Sequence, residues 1–594
     1  MSENVTIPVS VSSASEAEKP EKCENIRKQC NPNEGVEQNR ILAMYKDATI
    51  LITGGTGFLG KVLLEKTLRC LNVKKIFLLI RRKDGQTAQE RLVKLLKDAI
   101  FEKARSSYPN EQQLFGKIEA VEIDLDSETL CQGEKFSENR LLEETEIVFN
   151  VLASVKFNES IRNALVTNVA GTRKVLLLAE HMVRLRAIVH VSTLYSNCNR
   201  PAIEEKIYDD VPLRDDMLLQ LLSTMCEKEM VHFQHCFLGS MPNTYTFSKK
   251  CAEVMIQRQF SHLPIGIFRP PIVISTYKEP LAGWTDNLNG PSGLCMWTVK
   301  GFIHTIWGDA SKKANLVPVD CCVNAMIVAA YDIGARYREH QEKLGLSLTS
   351  KMETALIDDK NSEHRTRGDD VGGCSGTATD GNRQLDECTS RQWSLAIYNF
   401  MYPEHSLTWG RYMEMVSLGF ESRLHQMVWN YSYIITSYRP VFRVLSFCLH
   451  IVPVTLLDVV RRIRRKKPFY RKAMRKTTQF LEMMSYFGLR EWTIANGNVR
   501  RLRGLLSGEE ARLLEFDMAT IRWSEYFRTY IPGIRRHCFE ERLVRGDRWS
   551  PTFNRRFHFI QRLLQKLIWI WICVRFTRVT SKLVLKNLFA ILIA

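Results

Sequence analysis

The chain has 594 residues, of which 45% are apolar and 25% charged, proportions close to globular averages that exclude collagen-like, coiled-coil and wholly disordered proteins. At about 100–200 residues per domain, the length suits roughly three domains or two large ones with extensions. Lys and Arg number 83 against 65 Asp and Glu, a net charge of +18, which favours an anionic partner: nucleic acid, an acidic membrane surface or a phosphorylated ligand.

Residues 1–45 are polar, lack the basic and apolar regions of a secretory signal, and read as a disordered tail. From Ala48 the runs ATILIT, KKIFLLI, KIEAVEID, EIVFNV, RAIVHVST and PIGIFRP alternate with helix-length segments, the pattern of βαβ units and a parallel sheet. ATILIT and RAIVHV are apolar throughout, as strands covered on both faces are. The expected fold class is α/β, a Rossmann-type doubly wound parallel sheet over 46–335, followed by a mostly α-helical, membrane-associated region.

Residues 338–392 contain no Phe, Trp or Tyr and read as a disordered insertion, since they cannot bury enough apolar surface to offset ordering entropy. WSLAIYNF opens a return to the fold over 393–435. The apolar stretch VLSFCLHIVPVTLL from Val444 has fourteen residues, short of the ~20 that span a bilayer. It is followed by ten basic residues in the sixteen from Arg461 to Lys476. Together 444–476 read as an apolar hairpin or re-entrant helix with a polybasic belt drawn to anionic lipid; a solvated helix or a nucleic-acid patch is the alternative. Residues 477–560 read as a helical domain. In the final 28 residues, 567–594, Arg575, Arg578, Lys582 and Lys586 fall within roughly 80° of one another on a helix. That pattern fits an interfacial segment, or else a tilted span.

TGGTGFLGK follows the first strand and opens a helix. Gly54, Gly57 and Gly60, with Thr56, Phe58 and Leu59 between them, form a strand-to-helix turn suited to a pyrophosphate. The second strand ends in Arg81, Arg82 and Lys83, 21 to 23 residues beyond Gly60. A carboxylate at that point would bind a ribose 2′-OH, whereas Arg accommodates a 2′-phosphate, so the cofactor expected is NADPH. Asp124, ending the third strand, either borders the adenine or is a solvated acid.

NTYTFSKKCAE places Tyr245 and Lys249 one helical turn apart. An ammonium beside a phenol lowers its pKa towards working range and makes it a usable proton donor to a carbonyl receiving hydride. Ser192 and Thr193 end the strand HVST, at the edge where open α/β sheets bind ligands. The cysteines include no C-x-x-C pair, which points to a reducing compartment. His232, His235 and Cys236 lack a second ligand pair, so no metal is expected.

These residues resemble the extended short-chain dehydrogenase/reductase superfamily and, within it, the alcohol-forming fatty acyl-CoA reductases. TGGTGFLGKVLLEK, TNVAGTRKVLLLAE, HVSTLYSN, PNTYTFSKKCAE and VPVDCCVNAMIVAA are similar to that family's sequence, as is the more specific YKEPLAGWTDNLNGPSG. WSEYFRTYIPGIRRH is similar to its C-terminal helical domain. The resemblance implies reduction of a long-chain fatty acyl-CoA to a primary alcohol and free CoA, by two hydride transfers from NADPH through an aldehyde. It implies Tyr245 as the acid, Lys249 as the group that orients the nicotinamide ribose, and Thr193, or in its place Ser192, as the group that positions the acyl carbonyl. It also implies membrane lipid as a partner, in the endoplasmic reticulum with a cytosolic active site, or alternatively in the peroxisomal membrane. Oligomeric state stays open, and no nucleic acid is expected, because the basic run abuts apolar segments. The chain departs from the family at Asn150, Leu152 and Asn158, which are expected to adjoin the nicotinamide. Two other readings remain: a membrane-bound short-chain dehydrogenase for a steroid or similar alcohol, and a silent NADPH-binding scaffold.

Overall fold

The computed structural model describes residues 39–127, 130–131, 135–211, 215–345, 394–419 and 432–539, with isolated positions between 563 and 577. Seven strands form one sheet: β1 (Thr49–Thr53), β2 (Lys75–Arg81), β3 (Ile118–Ile123), β4 (Ile147–Asn150), β5 (Ala187–Val191), β6 (Ile265–Arg269) and β7 (Ala396–Asn399). Their order is β7-β6-β5-β4-β1-β2-β3 and every pairing is parallel. Every residue of β1, β5 and β6 is buried, as expected for strands covered by helices on both faces. Because the strands are parallel, Thr53, Arg81, Asn150 and Val191 all end at one edge. Strand order reverses between β1 and β4 there, the point at which such sheets bind ligands.

After the long segment 346–393, β7 joins the sheet as an edge strand beside β6. The insertion itself lies outside the described residues, and the helix Val319–Lys343 runs past the boundary placed at 335. Of the polar tail, only its end is described. There the expectation is corrected: Arg40–Tyr45 is a helix with Ile41 and Tyr45 buried, and the Tyr45 hydroxyl donates to the Ile327 carbonyl at 2.7 Å.

The C-terminal region is less separate than its sequence implies. Thr493–Ile494 pairs with Ala202–Ile203 and Ile434–Thr436 with Thr305–Trp307. Glu510 accepts the backbone N–H groups of Ile41 and Leu42, and Arg501 pairs with Asp332. Trp492, Val499, Leu502 and Phe516 belong to the same core as the sheet. A second core gathers Leu294, Trp409, Tyr412, Leu481, Phe527 and Tyr530.

The apolar stretch from Val444 is longer than its composition indicates. One 25-residue helix runs from Arg439 to Ile463, with mean hydropathy 1.8 in its most apolar window, long and apolar enough to cross a membrane by length and composition. One third of that window, 33%, is buried against the protein. His450 fastens the helix to the body by accepting the His304 N–H at 2.8 Å. Val441, Val444, Phe447, Leu456 and Ile463 are exposed. The C-terminal 567–594 segment lies outside the described residues apart from isolated positions.

Candidate active site

Residues after β1 form the first part of the site. The helix Phe58–Cys70 begins at Gly57, whose backbone is extended and which provides no side-chain cap. The first N–H groups of the helix are therefore open to a ligand, the arrangement that holds phosphate. Gly54 has φ 68°, and a Cβ there would stand 2.8 Å from the Leu152 nitrogen. A Cβ on Gly60 would overlap the Gly54 carbonyl oxygen. This cradle, which any side chain would fill, fits a dinucleotide pyrophosphate. Phe58 leaves the turn to stack on Trp284 at 5.7 Å, and Leu59 is half-buried beside it.

Beside the turn is a cavity of about 290 Å³ whose lining includes Thr56, Lys61, Lys83, Arg91, Lys94 and Asp98. Arg81 is exposed at the end of β2, and the Arg91 guanidinium donates to its carbonyl oxygen. Burial, and then the charge of Arg81, lower the Arg91 pKa. The cluster is mostly cationic, though Asp84 opposes the shift from the same lining and Asp98 pairs with Lys61, and it suits an anionic group. Arg82, by contrast, turns to Glu122 at 3.4 Å. Arg91 and Lys94 were not singled out from sequence; their one signal was an i, i+3 spacing on the helix Ala88–Leu96. Asp124 is exposed after β3, where its carboxylate accepts the Asp126 N–H at 3.0 Å.

Tyr245 and Lys249 lie on the helix Thr244–Gln259, started by Asn243, whose side chain accepts the Thr246 N–H at 2.9 Å. Lys249 is 1% exposed and donates to the Val191 carbonyl at 2.7 Å, which places it at the end of β5. Burial brings its pKa down to about 8. Burial pushes Tyr245 up to about 12, while a hydrogen bond with Thr193 pulls the other way. The expected lowering of the phenol by Lys249 is not found: burial sets the direction, Thr193 opposes it, and the ammonium is turned to a backbone carbonyl.

Ser192 and Thr193 have different environments. The Ser192 hydroxyl donates to Glu253, which also receives Ser196 at 2.8 Å and forms a sealed ion pair with Arg269 at 2.6 Å. The Thr193 hydroxyl faces Tyr245 and caps the turn Leu194–Asn197. Of the two hydroxyls, it is the one beside the phenol.

Asn168 was missed in the sequence. It sits in a π-helical turn, Val166–Ala170, accepts the Ser154 N–H at 2.8 Å and donates to the Ser248 hydroxyl at 2.8 Å. It thereby ties the loop after β4 to the helix that carries Tyr245 and Lys249; π turns often mark functional sites. Asn150 does not line the site as expected. It is fully buried, accepting from Thr53 at 2.8 Å and bonding His190 at 3.1 Å. Leu152 is packed beside Gly54, and Asn158 is exposed. Cys198 follows the Thr193 turn, and burial raises its thiol to about 12, so it remains protonated at neutral pH.

The segment YKEPLAGWTDNLNGPSG forms the roof. Asp320 accepts the N–H groups of Tyr277, Lys278 and Glu279, and Glu279 receives Lys66 and Arg69 from the helix after the glycine turn. Gly283 has φ 78°, and a Cβ on Gly533 would overlap its carbonyl oxygen. The helix Trp523–Cys538 therefore crosses this segment backbone against backbone. Among the described residues, no group of three His, Cys, Asp or Glu side chains stands as a metal site.

Two family profiles described as male sterility protein match the chain, an NAD-binding one over residues 52–326 and a C-terminal one over residues 449–541. Fatty acyl-CoA reductase wat of Drosophila melanogaster is 31% identical over 85% of this chain and 87% of its own. Fatty acyl-CoA reductase 1 of Xenopus laevis is 31% identical over 88% of this chain and 92% of its own. Human fatty acyl-CoA reductase 2 is 30% identical over 84% and 86%. Among solved structures, the terminal R domain of the myxalamid PKS-NRPS pathway is similar with a TM-score of 0.48 at 19% identity, covering 82% of this chain and 91% of that one. With a nicotinamide-binding domain matched and relatives aligned along most of its length, the chain is an oxidoreductase and belongs to the fatty acyl-CoA reductase family.

Proposed function

We infer that the protein reduces a long-chain fatty acyl-CoA to the primary alcohol, with NADPH as reductant and release of CoA. The observation that carries this reading is the meeting of Tyr245, Thr193 and Lys249 at the end of β5 with the phosphate cradle after β1. The cradle of Gly54, Gly57 and Gly60 would hold the pyrophosphate, and Arg81, Lys83, Arg91 and Lys94 the 2′-phosphate. When bound, the cofactor supplies hydride.

This chain's own residues supply the rest. The Thr193 hydroxyl donates a hydrogen bond to the acyl oxygen beside Tyr245. Tyr245, protonated at neutral pH, gives its proton to that oxygen as negative charge develops. Lys249, close to half-charged near pH 8, orients the cofactor ribose and as ammonium favours the phenolate left behind, which regains its proton from solvent. The hemithioacetal left on the substrate collapses with loss of CoA thiolate to an aldehyde, and a second round of hydride and proton gives the alcohol. Direct transfer to the thioester needs no cysteine nucleophile, which agrees with the protonated state of Cys198.

The exposed apolar residues of the helix Arg439–Ile463 and the polybasic run that follows attach the enzyme to an anionic membrane, with the endoplasmic reticulum and a cytosol-facing site as the setting. The test is incubation of membranes containing the protein with NADPH or NADH and acyl-CoAs of graded length, with lipids read by mass spectrometry. Fatty alcohol formed with NADPH in preference to NADH is the expected result. Absence of any reduced lipid at every length would overturn the reading, and a steroid or similar alcohol would then be tried as substrate.

A further inference from the structure

A narrow apolar cleft in the second core is used by nothing described above. Leu294, Trp307, Trp409, Met413, Leu481 and Met484 line it, with Gly308 and Gly488 side by side in the wall. Met484 and Gly488 share one face of the helix Tyr470–Gly488. Its neighbouring Phe487 faces the catalytic site, 4.9 Å from the Tyr195 ring and 5.9 Å from Phe157, and Phe157 stands 5.8 Å from Tyr245. One short stretch of helix thus touches both the reactive phenol's surroundings and the cleft.

The cleft also reaches the apolar helix. Trp307 stacks on Phe442 at 5.8 Å, with Arg439 over its ring at 5.2 Å, and Val441, Val444 and Phe447 of the same helix are exposed. A series of apolar and aromatic side chains therefore lies between the exposed helix face and the phenol: Phe442 and Trp307 at the cleft, Met484 within it, and Phe487 and Phe157 towards Tyr245.

We propose that this cleft takes the fatty acyl chain of the substrate and, through the residues that line it, sets the chain length accepted. The proposal rests on the reading of the protein as an acyl reductase and adds the location of the chain. Free space in the cleft is small, about 20 Å³. Two of the side chains that narrow it, Met413 and Met484, are unbranched thioethers that turn readily to fit irregular apolar shapes. A Cβ on Gly488 would approach Gly308 Cα and the Trp307 carbonyl oxygen no closer than 3.5 Å. The two backbones therefore pass without a side chain between them, leaving this part of the cleft narrow but unblocked. Each methylene buried there raises kcat/KM by roughly fourfold, so a cleft that is shortened or lengthened changes preference steeply.

The experiment has two arms, both on the full chain in membranes. In the first, Met484→Phe and Met484→Ala are compared with the unaltered protein across acyl-CoAs from C8 to C22. Met484→Phe is expected to lower kcat/KM for the longest substrates by at least about tenfold with the shortest unchanged, and Met484→Ala to move the optimum to longer chains. A profile unaltered in both variants, or one lowered equally at every length, overturns the proposal. In the second arm, palmitoyl-CoA with a diazirine at its terminal carbon is photolysed on the protein and the labelled peptides are identified. Label at 294, 307, 409, 413, 481 or 484 supports the site, and label confined elsewhere overturns it. This arm needs no turnover, so a protein that binds the probe in the cleft yet forms no alcohol would refute the reductase reading and leave the acyl site standing.

Discussion

The two ends of the crevice above the sheet handle charge in opposite ways. At the β2 end, Arg81 and Lys83 are exposed and Arg91 lies beside Arg81, so positive charge accumulates in the open. At the β5 end, Lys249 is sealed against the Val191 carbonyl, and Glu253 and Arg269 neutralise each other at 1% and 0% exposure. In the proposed function the first end recognises a ligand by charge, an interaction that salt screens, and the second acts through burial, which sets protonation states instead.

The largest expected effect comes from opening the sealed end. Glu253→Ala leaves the Arg269 guanidinium buried without its carboxylate and removes the partner of Ser192, and is expected to destabilise the fold by about 3–5 kcal/mol, read by thermal or denaturant unfolding. Stability within about 0.5 kcal/mol of the parent would mean that the pair is not sealed as described. At the open end, Arg91→Ala is expected to leave the fold intact and weaken NADPH by about tenfold or more through loss of a charged hydrogen bond, with NADH little changed. Equal weakening of both cofactors would place the 2′-phosphate elsewhere.

The smallest effect at neutral pH concerns Lys249. Its pKa is lowered to about 8 by burial, so the ammonium is present below that pH and is lost above it. Turnover is expected to be level below pH 8 and to fall about tenfold per unit well above it. Lys249→Arg, which stays charged, is expected to remove that fall even if its overall rate is lower. A profile unchanged by the substitution would separate the alkaline limb from Lys249.

These contrasts also explain what the sequence made legible. The sheet was readable because each strand is a short, continuous apolar run, and the glycine turn because its spacing reflects close backbone approach at Gly54 and Gly60. The choice between Ser192 and Thr193 was not readable. It depends on which hydroxyl meets Glu253, 61 residues away along the chain. Asn168 escaped notice because a π turn has no pattern in the residues themselves, and Asn150 was misplaced because its partners, Thr53 and His190, come from neighbouring strands. The helix Arg439–Ile463 looked too short because its apolar stretch was measured by composition, whereas backbone hydrogen bonding carries the helix through Arg439, Arg461 and Arg462. The C-terminal region looked like a separate domain because the strands that tie it to the rest of the chain are two- and three-residue pairings outside the main sheet, too short to leave a periodicity.

The most direct test of the central claim uses NADPH deuterated at the transferable position, a long-chain acyl-CoA, and the parent protein beside Tyr245→Phe. The account predicts a primary alcohol carrying two deuterium atoms at its first carbon, with free CoA released, and loss of at least about a hundredfold in rate for Tyr245→Phe with NADPH binding retained. Doubly labelled alcohol formed at the parent rate by Tyr245→Phe would contradict the role given to the phenol, and the absence of any deuterated aldehyde or alcohol from the parent protein would contradict the reaction itself.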